Sequence, residues 1–213
     1  MRFIFIIFTF LLFSFDFSYA DRMDVFVFTE EEKETLKVRK IKKKTKYTLG
    51  SNENGNYLKA EAEGVASGLG IEKKINLLKT PYINITWKVE KDLSGIDELS
   101  KKGHDYAARV FVIKKTGSTA LSNRAINYVF SSNEPINKFW KSPFTKKSID
   151  YVLSTTTNTL DEWVTVKANV KEDFKKLYNL DVNEIDGVAL MTDTDNSKKL
   201  AIAYYQNIYF SAN

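Results

Sequence analysis

Cysteine is absent from the sequence, and histidine, proline and glycine are scarce, with one, three and nine residues respectively. Without cysteine there is no disulfide, no thiol nucleophile and no cysteine zinc site. His104 is the one imidazole, so a multi-histidine metal centre is excluded and a histidine-based triad would have to use that residue. The sequence also lacks a Gly-x-Ser-x-Gly elbow and a phosphate-binding glycine loop. These absences exclude most common hydrolase and metalloenzyme designs.

The N-terminal segment, residues 1–20, predicts a secretory signal peptide. Met1-Arg2 gives a positive start, Phe3–Phe15 is almost entirely apolar, and Ser18-Tyr19-Ala20 places small residues at the cleavage positions. An uncleaved membrane anchor is the alternative, but the apolar stretch is shorter than the ~20 residues that span a bilayer. We therefore expect cleavage after Ala20, a periplasmic or secreted location, and no integral membrane segment after cleavage.

The charge balance is basic, with 32 Lys and Arg residues against 27 Asp and Glu residues, a formal net charge of +5. The densest run, residues 40–46, contains five lysines. Such a run could contact nucleic acid or an anionic membrane surface. It is also typical of a solvated edge strand whose lysines discourage pairing with another sheet. Because export argues against nucleic acid, we favour the edge strand and expect no nucleic-acid partner.

Alternating apolar and polar residues dominate residues 21–213, which we expect to form a single β-sandwich domain. Ile83, Ile85, Trp87 and Val89 alternate with polar residues, and Asn54-Gly55 suits a hairpin turn. Roughly eight to ten such strands, separated by polar turns, indicate an all-β sandwich or barrel.

Two short helices accompany the strands. Residues 170–178 place apolar side chains on one face and charges on the other, with Asn179 as a C-terminal stop. Thr29–Lys37 begins with a capping-box pattern, Thr29 followed by Glu32. Residues 108–113 and 188–191 are apolar on both faces, which predicts central strands. We expect the helix at 170–178 to cover the outer face of their sheet.

The first candidate site is the segment Gly103–Arg109. Arg109 interrupts an apolar strand, and a buried guanidinium must be paired or hydrogen-bonded. One interpretation is an internal ion pair with an aspartate, namely Asp105, Asp186, Asp193 or Asp195. The other is that Arg109, together with Asp105 and Tyr106, lines a cleft and binds a carboxylate or a hydroxyl-rich ligand.

The second candidate site follows the other apolar strand. Asp193, Asp195 and Asn196 come together at its C-terminal end. Their oxygens could hold Ca²⁺, although the spacing is not that of an EF-hand loop. They could equally contact a ligand, or form a turn in which the side chains bond to their own backbone. We favour the turn and predict no metal or other cofactor.

Aromatic residues and the lone histidine offer weaker signals. Trp140 lies in an aromatic cluster predicted to be a loop, where it could be a platform for a pyranose ring or a plug at the end of the sandwich. Trp87 and Trp163 are predicted to pack internally. His104 could act as an acid or base, but we expect an ordinary loop residue.

Three of these stretches resemble a known family. The stretches are 81–89 (Pro-Tyr-Ile-Asn-Ile-Thr-Trp-Lys-Val), 105–112 (Asp-Tyr-Ala-Ala-Arg-Val-Phe-Val) and 186–196 (Asp-Gly-Val-Ala-Leu-Met-Thr-Asp-Thr-Asp-Asn). They resemble signatures of the bacterial exported domain of unknown function 3047 across residues 47–211, with departures at Ile85 and His104. The resemblance implies a jelly-roll-like β-sandwich similar to galactose-binding-like domains. It implies no activity, because fold similarity is not a site argument.

The sequence therefore predicts an exported, non-catalytic β-sandwich that binds a saccharide or a cell-envelope glycan. The predicted ligand-binding residues are Asp105, Tyr106, Arg109, Trp140, Asp193, Asp195 and Asn196. One alternative is a polysaccharide-acting enzyme that uses paired aspartates about 5–9.5 Å apart in an open cleft. The other is a structural envelope protein in which the arginine and the aspartates form an internal network.

Overall fold

The computed structural model describes residues 22–119 and 122–213. The predicted signal peptide, residues 1–20, lies outside the described residues. Within them the strands are β1 (Arg22–Phe26), β2 (Lys37–Lys42), β3 (Lys46–Asn52), β4 (Gly55–Glu63), β5 (Ala66–Asn76), β6 (Tyr82–Lys91), β7 (Ala108–Lys114), β8 (Arg124–Ser131), β9 (Phe139–Lys141), β10 (Ser148–Thr155), β11 (Val164–Asn169), β12 (Glu184–Asp193) and β13 (Leu200–Ser211). The helices are α1 (Glu30–Thr35), α2 (Thr156–Thr159) and α3 (Val170–Tyr178).

The strands form two sheets that face each other. The six-stranded sheet has the order β11-β6-β13-β4-β3, and β1 also pairs with β13. The seven-stranded sheet has the order β2-β5-β12-β7-β8-β10-β9, and its β8 and β10 are parallel. The prediction of an all-β sandwich is therefore confirmed, and the two predicted short helices are present together with the single turn of α2.

The core lies between the sheets, where the alternating pattern places it. Ile83, Ile85, Trp87 and Val89 of β6 are completely buried, as their spacing predicts. From the other sheet, inward residues of β7 and β12 such as Val110 join the same cluster. Each large apolar side chain buried in this way contributes roughly 1.5–3 kcal/mol. This shared cluster binds the two sheets together.

The predicted hairpin joins β3 to β4. Their register brings Asn52 opposite Gly55, and Gly55 has a φ of 113°. A side chain at that φ would be strained, so the glycine sets the turn. None of the helices in residues 22–119 and 122–213 is long and apolar enough to cross a bilayer.

Helix α1 begins and helix α3 ends where their sequences predict, whereas α1 ends at Thr35, two residues before the predicted Lys37, which begins β2. In α1 the Thr29 side chain accepts a hydrogen bond from the Glu32 amide, and the Glu32 carboxylate accepts from the amides of Val27 and Phe28. Helix α3 ends at Asn179, which adopts the left-handed conformation. Side-chain and C-terminal caps of this kind satisfy backbone groups that the helix leaves free.

Helix α3 does not cover the outer face of the seven-stranded sheet, contrary to our expectation. Its buried residues Val170 and Phe174 belong to the main core, and Asp173 accepts a hydrogen bond from the Tyr128 hydroxyl at 2.7 Å. The helix follows β11, the edge strand of the six-stranded sheet. Its apolar face is therefore next to the open side of the sandwich, and it packs into the core there.

Candidate functional site

The candidate site lies on the outer face of the seven-stranded sheet, the side turned away from the six-stranded sheet. Because side chains alternate along a strand, residues between the inward ones point to this face. Tyr106, Val129 and Val152 form a separate apolar cluster there, and Trp140 packs against it. The outer face thus has a small core of its own at the end where β7 begins.

Arg109 and Asp193 form a buried ion pair on this face. In the pairing of β7 with β12, Arg109 is opposite Met191, so Asp193 is its diagonal neighbour on the same side. The distance from Arg109 Nη2 to Asp193 Oδ2 is 2.5 Å, and both side chains are at most 5% exposed. The guanidinium also lies 5.0 Å from the centre of the Tyr106 ring and 5.1 Å from that of Phe111. The predicted internal partner of Arg109 is therefore Asp193.

Burial sets the protonation behaviour of this pair. It raises the pKa of Asp193 to about 7, and the nearby carboxylates of Asp105 and Asp195 act in the same direction while Arg109 opposes them. Burial acts to lower the pKa of Arg109, but the surrounding carboxylates, Asp193 first, raise it above its ordinary value. Arg109 therefore stays charged, and Asp193 is the member of the pair that titrates near neutral pH.

Asp105 connects the start of β7 to the turn after β12. It is fully buried and accepts hydrogen bonds from the backbone amides of Asn196 and Ser197, at 3.2 and 2.5 Å, and from the Asn196 side chain at 2.8 Å. Amides around a carboxylate are strong, charge-assisted partners. This network brings Asp105, Asp193, Asp195 and Asn196 together, as the sequence predicts.

Three carboxylates meet at this end of the face. One oxygen from each of Asp105, Asp193 and Asp195 lies within 4.8 Å of the other two. However, Asp105 already accepts from amides, and Asp193 is bound to Arg109, whose positive charge repels a cation. These contacts favour an internal network over a calcium site.

Metal removal should accordingly leave the protein unchanged. We expect the Tm to shift by less than ~1 °C when EDTA is added or when Ca²⁺ is supplied, because the Asp193 carboxylate is already paired with the Arg109 guanidinium. Thermal unfolding by circular dichroism measures this. A rise of several degrees with Ca²⁺, abolished by EDTA, would establish a metal site instead.

The aspartates do not fit the acid and base of the enzyme alternative. That alternative requires an open cleft, yet Asp105 and Asp193 are 0% and 2% exposed. Their oxygens are occupied by backbone amides and by Arg109. These two aspartates therefore do not present the pair of accessible carboxylates that the enzyme alternative requires.

His104 lies in a loop, as expected, but it is buried and bonded. Its Nε2 is 2.8 Å from Asp150 Oδ2, and Asp150 Oδ1 accepts a hydrogen bond from Asn127 at 2.7 Å. The imidazole ring also meets the edges of Tyr106 and Phe144. The contribution of Asn127 and Asp150 was missed from the sequence, since both occupy strands with ordinary alternation.

Four buried side-chain atoms have no hydrogen-bond partner within residues 22–119 and 122–213, and all four belong to this face. They are Tyr106 Oη, Arg109 Nε, Asn127 Oδ1 and Trp140 Nε1. A buried polar atom left without a partner costs about 1–3 kcal/mol. Four such atoms on one face distinguish it from the rest of the described residues.

The tryptophans differ in environment. Trp140 was predicted to lie in a loop, but it is half-buried in the three-residue strand β9 at the edge of the sheet, where it packs against the outer-face cluster that contains Tyr106. Trp163 was predicted to pack internally, but it is only half-buried. It contacts Tyr57 and Tyr204 on the outer face of the six-stranded sheet, with ring centres 6.0 Å away in each case. Tyr57 and Tyr204 lie at outward positions of their strands, which was the signal for this cluster.

Comparison with known proteins places the chain in a family and a fold. A family model described as "Protein of unknown function (DUF3047)" matches residues 31–209. No curated protein matches the chain. Among solved structures, the chain is similar to the family 30 carbohydrate-binding module of a cellulosomal cellulase of Clostridium thermocellum, with 7% identity and a TM-score of 0.52 over 90% of this chain and 98% of that one. At this identity the likeness shows the jelly-roll fold alone.

Two further structures are more distant. One is the xyloglucanase domain of a type three effector from Sinorhizobium fredii in complex with cellobiose, with 11% identity, a TM-score of 0.44, and coverage of 83% of this chain and 92% of that one. The other is a cellulase derived from that of Rhodothermus marinus, with 10% identity, a TM-score of 0.42, and coverage of 84% and 94%.

Proposed function

The chain belongs to the DUF3047 family, whose function is unknown, and for this member we propose a non-catalytic role: an exported β-sandwich that binds a saccharide or cell-envelope glycan on the outer face of its seven-stranded sheet. The observation that carries the proposal is the clustering of all four unpartnered buried atoms on that face. The likeness to a carbohydrate-binding module is an analogy of fold and adds no site.

The chemistry of the unpartnered atoms suits hydroxyl groups. Arg109 Nε and Trp140 Nε1 donate, Asn127 Oδ1 accepts, and the Tyr106 hydroxyl does either. A sugar ring presents hydroxyls that donate and accept at short intervals along one edge. Its apolar faces match the aromatic rings of Tyr106 and Trp140. A purely anionic or purely apolar ligand would leave part of this set unpaired.

The β9 flap, residues 133–147, controls access to these atoms in this proposal. It contains β9, which among the described strands pairs only with β10, and its Ile136, Phe139 and Phe144 are exposed. Phe144 packs against His104 on the outer face, whereas Phe139 contacts Tyr151 on the inner side. A short edge strand with exposed apolar side chains has few contacts that hold it in place. We infer that a glycan displaces the flap, contacts Tyr106, Arg109 and Trp140, and meets the half-exposed Asp195 and Asn196 at the rim.

The remaining predicted residues hold the site in place. Asp193 orients the Arg109 guanidinium, and Asp105 anchors the turn that carries Asp195 and Asn196. Binding groups are most effective when they are already fixed by such contacts.

Tyr106→Phe tests the proposal because it removes an unpartnered hydroxyl. We expect the free energy of unfolding to stay the same or to rise by up to about 1 kcal/mol, since a group without a partner is lost. The affinity for a glycan should fall about five- to tenfold, as one hydrogen bond to the ligand disappears. Affinity electrophoresis on a panel of polysaccharides and chemical unfolding measure the two quantities.

Tyr128→Phe is the matched control. Its hydroxyl donates to Asp173 on the inner face, so the variant should lose about 1–2 kcal/mol of stability and no affinity. The proposal fails if the protein binds no polysaccharide in the panel. It also fails if Tyr106→Phe destabilises as Tyr128→Phe does and binds as well as the wild type.

A further inference from the structure

Strand β2 is a basic edge strand, and every one of its residues is exposed. It ends the seven-stranded sheet beside β5, so one of its sides has no strand partner in the described residues. Its sequence, Lys-Val-Arg-Lys-Ile-Lys, continues into Lys43 and Lys44. The predicted solvated edge strand is therefore present. It carries more cations than are needed to keep another strand from pairing with it.

Most of these cations have no carboxylate partner, whereas the lysines at the two ends of the run do. Lys37 pairs with Glu72 at 2.8 Å, and Lys46 pairs with Glu61 at 2.9 Å. Between them, no ion pair within residues 22–119 and 122–213 involves any of the five residues Arg39, Lys40, Lys42, Lys43 and Lys44. Like charges at such density repel one another, and a polyanion that releases counterions relieves the repulsion.

The turn after β12 adds a further cation to this cluster. The ammonium group of Lys42 is close to that of Lys198, and the proximity of the two positive charges lowers the pKa of Lys198. Lys198 follows Asp195 and Asn196, the rim of the candidate site. The cationic edge therefore reaches the candidate site and is not a separate patch.

The register places the cationic edge and the candidate site on the same rows of the sheet. Lys37 and Arg39 lie opposite Gly70 and Gly68 of β5. The same rows continue through Ala189 to Phe111, and through Met191 to Arg109. Arg39 and the ion-paired Arg109 therefore share one row, with two strands between them.

We propose that the glycan is an anionic polysaccharide, with its acidic groups bound by Arg39, Lys40, Lys42 and Lys43 and its sugar rings on the outer face. This inference rests on the proposed function and names its ligand class. Arg39 and Lys42 lie opposite Gly68 and Ala66 in the register, and a run of cations along one edge suits a polymer with repeated charges better than a single charged group. This edge belongs to the sheet whose outer face carries the unpartnered hydrogen-bonding atoms, which favours a polysaccharide with hydroxyl groups over a lipid surface.

The test compares alginate, a polysaccharide of carboxylate sugars, with the neutral hydroxyethyl cellulose. In the β2 variant, Arg39, Lys40, Lys42 and Lys43 are replaced by glutamine. We expect it to bind alginate at least ~tenfold more weakly than the wild type at low salt, with a shallower dependence of affinity on salt. The control variant places glutamine at Lys74, Lys79, Lys91 and Lys175, four exposed lysines outside β2 and outside the β9 flap, and should bind as the wild type does. A third variant, with arginine at Lys40, Lys42 and Lys43, should keep the affinity.

The outcomes separate this inference from the proposed function. Equal affinity for both polymers, or equal loss in the β2 and control variants, would overturn the inference and leave glycan binding intact. If the protein binds neither polymer and no other glycan, both the inference and the proposed function are overturned. Binding only to phosphatidylglycerol vesicles, polyphosphate or DNA would replace the polysaccharide with another polyanion and overturn the inference. Thermal unfolding of each variant verifies that it is folded.

Discussion

Replacing Arg109 by methionine is expected to lower the free energy of unfolding by roughly 3–5 kcal/mol at pH 8, because it leaves the Asp193 carboxylate buried without its cation. Methionine keeps an apolar stem of similar length, so the loss of stability measures the effect of the missing charge and not that of a cavity. Urea unfolding followed by fluorescence measures it. As a matched control, Lys46→Met breaks an exposed ion pair with Glu61 and should cost no more than about 0.5 kcal/mol.

The pH dependence of this variant gives a second measure. In the wild type, the pKa of Asp193 is raised to about 7, above the value of about 3.9 in an unfolded chain. A carboxyl whose pKa is raised by folding contributes stability that is present at low pH and is lost as the pH rises through the folded pKa. Removal of Arg109 raises the pKa of Asp193 further, so the deficit of the variant should be smaller at pH 5.5 than at pH 8.

Removing both charges should restore much of the lost stability. In the double variant Arg109→Met with Asp193→Asn, no charge remains buried, and a neutral replacement of a buried ion pair is often nearly neutral in energy. An equal deficit at the two pH values, together with no recovery in the double variant, would show that Arg109 acts through packing on Tyr106 and Phe111 instead.

Asp105→Ala is expected to be the other severe substitution, with a loss of about 2–4 kcal/mol. The variant leaves the backbone amides of Asn196 and Ser197 without their acceptor in a partly buried turn. Hydrogen exchange of these two amides should accelerate at least ~tenfold, because the turn is no longer held to the start of β7.

Asp97→Ala provides the comparison for this prediction. Asp97 is exposed, and its side-chain carboxylate accepts a hydrogen bond from the backbone amide of Leu99 at 3.2 Å. We expect a change within about 0.5 kcal/mol and no effect on the turn at Asn196. If Asp105→Ala were as mild as Asp97→Ala, the connection between the two candidate segments would be dispensable and the rim of the site would be held by other contacts.

The local parts of the fold were accessible from the sequence. The burial of Trp87, the hairpin at Gly55 and the stop of α3 at Asn179 each depend on a few neighbouring residues. Alternation and capping are local effects, so their patterns are legible without knowledge of the fold. The need of Arg109 for a partner was also accessible, because a charge within an apolar strand requires one whatever the topology, and Asp193 is that partner.

The arrangement of distant elements was not accessible in this way. His104 meets Asp150 only because β10 lies parallel to β8, a pairing of strands with no local signature. The helix α3 enters the core instead of covering the outer face because β11 is an edge strand. An amphipathic pattern specifies that a face is buried, but not against which surface.

The sequence by itself determined most of the strands, which of their side chains turn inward, and that Arg109 needs a partner of opposite charge. Only the tertiary structure decided that Asp193 is the ion-pair partner, that four unpartnered polar atoms share one face, and that the basic strand β2 borders the same sheet. The physical reason is range: alternation acts over two residues, whereas the order and register of strands depend on contacts between segments far apart in the chain.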